Sequence, residues 1–276
     1  MLNEEEIKQY EKQWIQEQLK LKKKLILKNE ISFNPETLEN LKRIGGVDIS
    51  FFKEDPNKAV ASLIVLDYPS YNVIYEDYEL VPLTLPYIAG FLAFREVPAI
   101  EKLYKKLVEK DKNNKESKLP QVILVDGNGY LHPRQFGFAC HLGVTINVPT
   151  IGVGKNFLVI EDGDEMTMDY VKNKWKTETL PQHKDRQPLI GKSNTLYGYA
   201  VKSNETTTNP IFVSVGHKID INTAINIVLK TCVNRVPEPI RQADIRSRKC
   251  VREILESNKK GKKEINTKMK KKIKIN

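Results

Sequence analysis

The chain has 276 residues, 40% of them hydrophobic and 29% charged, with a formal net charge of +10. That is enough apolar content for one large core or two smaller ones. No apolar run approaches the ~18 residues of a membrane span, and the start MLNEEEIKQYEKQW is acidic and amphipathic where a secretory leader would be apolar. Cys140, Cys232 and Cys250 are odd in number and far apart, which argues against a disulfide framework and a zinc site and predicts a reducing interior: cytoplasm, nucleus or nucleolus. Asn204-Glu205-Thr206 is then a chance glycosylation sequon.

The charge is uneven. Residues 258–276 hold nine lysines and one glutamate, so this stretch carries +8 of the +10 and leaves the other 257 residues nearly neutral. Such a run binds phosphate non-specifically, serves as a nuclear address, or is simply solvated. Its composition predicts that order ends near residue 258, leaving 1–257 as one folded unit.

Residues 4–28 set Ile7, Trp14, Ile15, Leu19, Leu21 and Leu25 among charges, the pattern of an amphipathic helix on a domain edge. Its Lys20, Lys22, Lys23 and Lys24 face either a phosphate backbone or water. Residues 43–51 alternate as a β-strand with Asp48 between Val47 and Ile49; residues 59–67 and 72–83 are two more strands, joined through Pro69 and Ser70. Short links predict an antiparallel meander. From 88 to 110 the period becomes helical, and Glu96 falls on the face of Ile100, Leu103 and Leu107. A carboxylate aimed at an apolar side needs a cation or a hydrogen-bond partner. A salt bridge to a lysine or to Arg95 is the bland alternative, although Arg95, being adjacent, points elsewhere.

Residues 122–125 are a short apolar run, read as a buried strand that ends on Asp126 and is broken by Gly127 and Gly129. His132 and Arg134 follow, both suited to holding an anion, and 136–142 resume a helical pattern. Residues 149–155 are a further strand and loop. Their GVGK is not a phosphate-binding loop, because Pro149 stands where its first glycine belongs and Asn156 replaces its Ser/Thr. Lys155 still presents a cation at a strand end. Residues 161–188 are a polar excursion whose Trp175 packs locally, 195–202 and 210–218 form a hairpin, and 222–233 and 240–257 are helices. In the last, Asp244 shares a face with Ile240, Val251 and Leu255.

Any one of Asp48, Glu96, Asp126 and Asp244 alone would be a capped or paired acid; four together predict convergence. Such carboxylates suit hard Mg²⁺, with Mn²⁺ as a substitute, which keeps waters and binds phosphate. One ion generates the attacking hydroxide, and it or a second about 3.5–4 Å away stabilises the leaving oxygen. Lys155 and His132 are candidates for neutralising the charge that develops; otherwise His132 is a hydrogen-bonded loop residue. A meander carrying Asp, a helix carrying Glu and a strand ending in Asp resembles the order of ribonuclease H-like folds. It predicts an α/β architecture with a mixed central sheet, an antiparallel meander followed by parallel strands, flanked by helices.

A closer resemblance lies in GGVDISF (45–51), LPYIAGFLAFREVPAI (85–100), ILVDGNGYLHPRQFGFACHLGV (123–144), IGVGKN (151–156) and VPEPIRQADIRSR (236–248). These look like the successive motifs of the endonuclease V family, in order over about residues 40–255. RQADIRSR and GFLAFREVP resemble its eukaryotic branch. The resemblance implies one nuclease domain over 1–257 and Mg²⁺-dependent cleavage near inosine. The bond cut is the second phosphodiester on the 3′ side, leaving 3′-hydroxyl and 5′-phosphate ends.

Carried over position by position, Asp48 and Asp126 match the metal-binding acids, Glu96 the third acidic position and Asp244 a fourth acid near the site. Lys155 matches the catalytic lysine and His132 the histidine beside the scissile phosphate. Pro86, Tyr87, Ile88 and Ala89 resemble a wedge whose tyrosine stacks into the gap left by a flipped base; Ala89 stands where bacterial members have proline. Without the resemblance, Tyr87 would read as a core residue at a helix start. Gly90, Leu92, Gly137 and Phe138 match the lining of the hypoxanthine pocket, where glycine lets main chain approach a base edge. Arg95, Arg134 and Arg248 are the expected phosphate contacts.

The eukaryotic motif forms imply inosine-containing, single-stranded RNA as the partner of a monomer that needs neither a membrane nor a small-molecule cofactor. Deoxyinosine DNA is the nearest alternative. A catalytically silent binder of inosine RNA is a third reading, disfavoured because carboxylates repel phosphate.

Overall fold

The computed structural model describes residues 4–179, 181 and 185–273, except the side chains of residues 56 and 258–273. Helix α1 (Glu4–Lys22) leads to β1 (Arg43–Phe52), β2 (Asp55–Asp67) and β3 (Val73–Pro82), which pair antiparallel as their short links predict. Next come α2 (Leu92–Asp111), β4 (Val122–Asp126), α3 (Phe138–Ile146) and β5 (Thr150–Gly154), with β4 parallel to both β1 and β5. Then follow α4 (Met168–Lys174), β6 (Arg186–Ile190), β7 (Leu196–Val201), β8 (Ile211–His217), α5 (Ile221–Thr231) and α6 (Glu238–Ile273). All eight strands form one mixed sheet, β3-β2-β1-β4-β5-β8-β7-β6.

Helices cover both faces. On one, α2 and α3 set Ile100, Leu103, Leu107 and Leu142 against Val47, Leu63, Val65, Ile123 and Val125. On the other, Ile225, Val228 and Ile240 pack on Ile44, Leu124, Ile151 and Val213. Burial on both sides is why β4 reads as an unbroken apolar run rather than an alternating one. Truncating a fully buried leucine such as Leu103 to alanine removes about 2–5 kcal/mol.

Several boundaries differ from the sequence expectation; β2 starts at Asp55 rather than 59 and α6 spans Glu238–Ile273 rather than 240–257. Helix α1 stops at Lys22, short of residue 28. Helix α2 starts at Leu92, because Gly90 takes φ +79, a conformation glycine adopts without strain. The excursion over 161–188 has structure of its own, including α4 and the start of β6. Strand β6 was hidden by Pro188, which interrupts a strand pattern but is tolerated at a sheet edge, where β6 lies. Trp175 packs locally as expected, with Phe157, Met166 and Val171.

Gly46 sets the position of α6. A Cβ there would collide with the Pro239 carbonyl, so only glycine lets the first turn of α6 lie against β1. The expectation that the last helix and ordered structure end near 258 is not met by the backbone, since α6 continues to Ile273; the side chains beyond residue 257 lie outside the described residues. Among the described residues no helix is long and apolar enough to cross a membrane, and Cys140, Cys232 and Cys250 are free thiols.

Candidate active site

Strand register assembles the acids. Val47 lies opposite Val125 in the parallel β1–β4 pair, so the residues that follow them are neighbours: Asp48, within β1, stands beside Asp126, the end of β4. Gly46, Asp48 and Ser50 alternate onto the face that meets α6. There Ser247 donates its hydroxyl to Asp48 Oδ2 at 2.7 Å, Ser50 reaches the same oxygen at 3.2 Å, and the two serine hydroxyls are 2.7 Å apart. Asp48 is 8% exposed. Burial raises its pKa, the neighbouring charges of Asp126 and Asp244 add to the rise, and the serine hydrogen bonds oppose it.

Lys155, just past β5, places Nζ 2.5 Å from Asp126 Oδ2. On α6, Arg248 pairs with Asp244 at 2.8 Å. Asp48, Asp126, Lys155, Asp244 and Arg248 line one cavity of about 620 Å³. Of the three expected phosphate contacts, Arg248 is thus the one at this cavity.

Glu96 is not on that wall. It is 5% exposed on α2, and its carboxyl is pushed up to about 8, first by burial and then by the charges of Asp48 and Asp126, with Arg95 opposing. Among the described residues Arg95 and Glu96 form no ion pair, so the arginine acts on the acid only through its charge. The Arg95 Nε is buried without a hydrogen-bond partner.

Among the described residues no three His, Cys, Asp or Glu side chains stand close enough to hold a metal ion as they are. The expected trio of Asp48, Asp126 and Glu96 is thus not drawn together as a cage, although Glu96 is near enough to both aspartates for their charges to raise its pKa. The donor set nevertheless fits a hard divalent ion. It is all oxygen, its carboxylates raise one another's proton affinity, and an ion that retains water and phosphate ligands needs only one or two of them.

His132 and Arg134 are placed differently from the expectation. His132 is 4% exposed; its Nδ1 accepts the Arg134 backbone N–H at 3.2 Å, so Nε2 carries the proton toward Gly90 O at 3.0 Å. Burial, with the Arg134 charge, pushes its pKa down to about 4, so the ring is neutral and is no neutralising cation. Arg134 donates Nη2 to the same Gly90 oxygen at 2.8 Å and Nε to Gln18 at 2.5 Å, and lies 4.1 Å from the centre of the Phe91 ring. Gln18 Nε2 adds bonds to Gly90 O at 3.2 Å and Phe136 O at 3.3 Å. Both expected anion holders therefore brace the loop before α2.

That loop presents Tyr87, which is 68% exposed rather than a core residue, between half-buried Pro86 and buried Ile88, with Ala89 exposed. Leu92 is half-buried at the start of α2. Gly137 and Phe138, expected at the base pocket, are buried. A Cβ at Gly137 would press on the carbonyls of Asn128 and Gly129, and Phe138 belongs to the core beside Gly127.

Sequence reasoning missed Ser50, Ser247 and Gln18. Ser50 shares Asp48's face two residues on, and Ser247 lies one helical turn beyond Asp244, so spacing could have flagged both; a buried glutamine in a charged helix gave no signal.

A family model described as Endonuclease V matches residues 22–245. The chain is 44% identical to mouse endonuclease V over 243 residues, 88% of this chain and 70% of that one. It is 42% identical to human endonuclease V over 243 residues, covering 88% and 83%. The crystal structure of the catalytic domain of human endonuclease V is similar with a TM-score of 0.81 and 38% identity, over 92% of this chain and 99% of that one. Ciona intestinalis endonuclease V in complex with a 23mer DNA containing an inosine followed by a ribo-adenosine gives a TM-score of 0.82 and 34% identity, over 92% and 100%. With the mixed sheet and flanking helices, these neighbours make the fold ribonuclease H-like. The chain belongs to the endonuclease V family, nucleases that hydrolyse phosphodiester bonds and generally depend on a divalent metal.

Proposed function

We propose that this protein is a Mg²⁺-dependent endoribonuclease. It cleaves single-stranded, inosine-containing RNA at the second phosphodiester 3′ to inosine and leaves 3′-hydroxyl and 5′-phosphate ends. The family as a whole acts on inosine-containing nucleic acid. The observation that carries the reading is the single cavity shared by Asp48, Asp126, Asp244 and Lys155.

Asp48 and Asp126 would hold the ion, with Glu96, coupled to both by charge, as the third acidic position. Bound there, a divalent ion supplies Lewis-acid charge at the scissile phosphate and lowers the pKa of water. Ser247 and Ser50 fix the Asp48 carboxylate, which limits the orientations it can offer. Lys155 brings a cation to the Asp126 strand end, where charge on the leaving or bridging oxygens can be neutralised. Tyr87, exposed on a braced loop, is positioned to stack into the space a flipped base vacates.

RNA is favoured because the motif forms are eukaryotic and because the Ciona relative was captured with a ribo-adenosine following its inosine. Deoxyinosine DNA is the second reading, since the rest of that strand is DNA. We place the active form as a monomeric domain over residues 1–257 followed by a lysine-rich tail, in cytoplasm or nucleus. The test is to incubate the full chain with matched inosine RNA, inosine DNA and guanosine controls, with Mg²⁺ or with chelator. Mg²⁺-dependent cleavage of inosine RNA is expected; preference for DNA reverses the two readings, and binding without cleavage of either leaves only an inosine-binding module.

A further inference from the structure

A second cavity, of about 400 Å³, adjoins the carboxylate cavity, and Lys155 lines both. That volume lies in the range of small-ligand sites. Its other charged lining residues are Lys172, Lys176 and Arg235, and no carboxylate lines it among the described residues. Lys172 and Lys176 are exposed and one helical turn apart. Arg235 is fixed by Nη2, which donates to the carbonyls of Lys155 at 2.9 Å and Pro210 at 3.0 Å. Bonded to neutral carbonyls, it keeps its full charge beside Lys155. Phe157, Trp175 and Phe212 supply an apolar floor. Cations around aromatic rings suit a nucleotide strand better than a free inorganic anion.

We propose that this cavity receives the strand on the 3′ side of the cleaved phosphate. The inference rests on the function proposed above. The Tyr87 loop packs on α1 and α2, Asp48 lies within β1 beside the end of β4 at Asp126, and the cavity begins on the other side of β4, at Lys155 after β5 and Phe212 on β8. A strand that offers its inosine to the loop and a following phosphate to the carboxylates runs on toward β8. There Lys172, Lys176 and Arg235 hold its next phosphates.

The test compares the full chain with its Lys172→Ala/Lys176→Ala variant on inosine RNAs of fixed 5′ arm and increasing 3′ arm, with Lys105→Ala/Lys112→Ala as a control of equal charge. For the unmodified chain, KM is expected to fall several-fold as the 3′ arm lengthens. The Lys172→Ala/Lys176→Ala variant loses that gain and keeps kcat on the shortest strand. Its log–log salt slope for binding a long strand drops by about 1.4, at roughly 0.7 per lost phosphate contact. An equal effect at every length, a dependence on the 5′ arm instead, or no difference from the control overturns the inference. If the unmodified chain cleaves no inosine strand, the proposed function fails; if it cleaves regardless of 3′ length, only this inference fails.

Discussion

Ser247 donates its hydroxyl to the Asp48 carboxylate at 2.7 Å across 199 residues of chain. The bond makes α6 part of the site without supplying a ligand. Removing it in Ser247→Ala leaves a buried carboxylate less oriented and more easily protonated. A loss of about 10–100-fold in apparent metal affinity is expected, the range for partners that orient ligands. A Mg²⁺ titration of cleavage checks it, and Ser247→Thr should recover most of the loss. An unchanged Mg²⁺ midpoint in Ser247→Ala would show that the hydroxyl only packs.

Asp126 and Lys155 form a close ion pair, yet their removal should differ. Asp126→Ala abolishes cleavage but keeps RNA binding, because one less carboxylate repels the phosphate. Lys155→Ala weakens binding and lowers kcat by about 100-fold or more, the scale for losing one preorganised charge-stabilising group. Parallel binding and single-turnover measurements separate the two. Equal losses of binding would mean that the pair is only structural.

Tyr87 and Arg134 should also part company. Tyr87 is largely exposed, so Tyr87→Ala changes stability by no more than about 0.5 kcal/mol. It weakens inosine-strand binding by an amount on the order of 1–3 kcal/mol, the worth of one base stack. Arg134→Ala removes a charged donor from the Gly90 carbonyl and lowers stability by about 1.5–3 kcal/mol, while KM rises because the loop loosens. Denaturant unfolding and inosine-strand KM, measured on both variants, decide it; a destabilised Tyr87→Ala would return Tyr87 to the core.

The pH dependence of stability has two limbs. Buried His132, His141 and His217 are each pushed down to about 4, chiefly by burial. Below their ordinary value of 6.5 the unfolded chain thus binds more protons than the folded one, and stability falls as pH drops toward 4. Glu96, pushed up to about 8 from 4.5, does the reverse: the folded chain retains a proton the unfolded chain has released, and that contribution is lost as pH rises toward 8. Asp48 shifts in the same direction. Three histidines outweigh these acids below 6.5. Without divalent ion, Tm should therefore rise from pH 4.5 to 6.5 and decline from 6.5 to 8.5. Calorimetry of Glu96→Gln should show that decline reduced; an undiminished decline would locate its cause elsewhere.

The sequence by itself determined the meander, the helices that carry Glu96 and Asp244, the strand ending at Asp126 and the motif order of the family. Each of these is local: a period of two or of 3.6, a glycine break, a run of residue types. Tertiary structure alone decided which acids line the cavity and which is buried off its wall, because burial depends on what packs on both faces of the sheet. It also turned His132 and Arg134 from anion holders into supports of Gly90, since their partners come from α1 and the loop before α2. The 116 residues between Gln18 and Arg134, like the 199 between Asp48 and Ser247, leave no periodic trace. Such contacts exist only once α1 meets the loop after β4 and α6 meets β1.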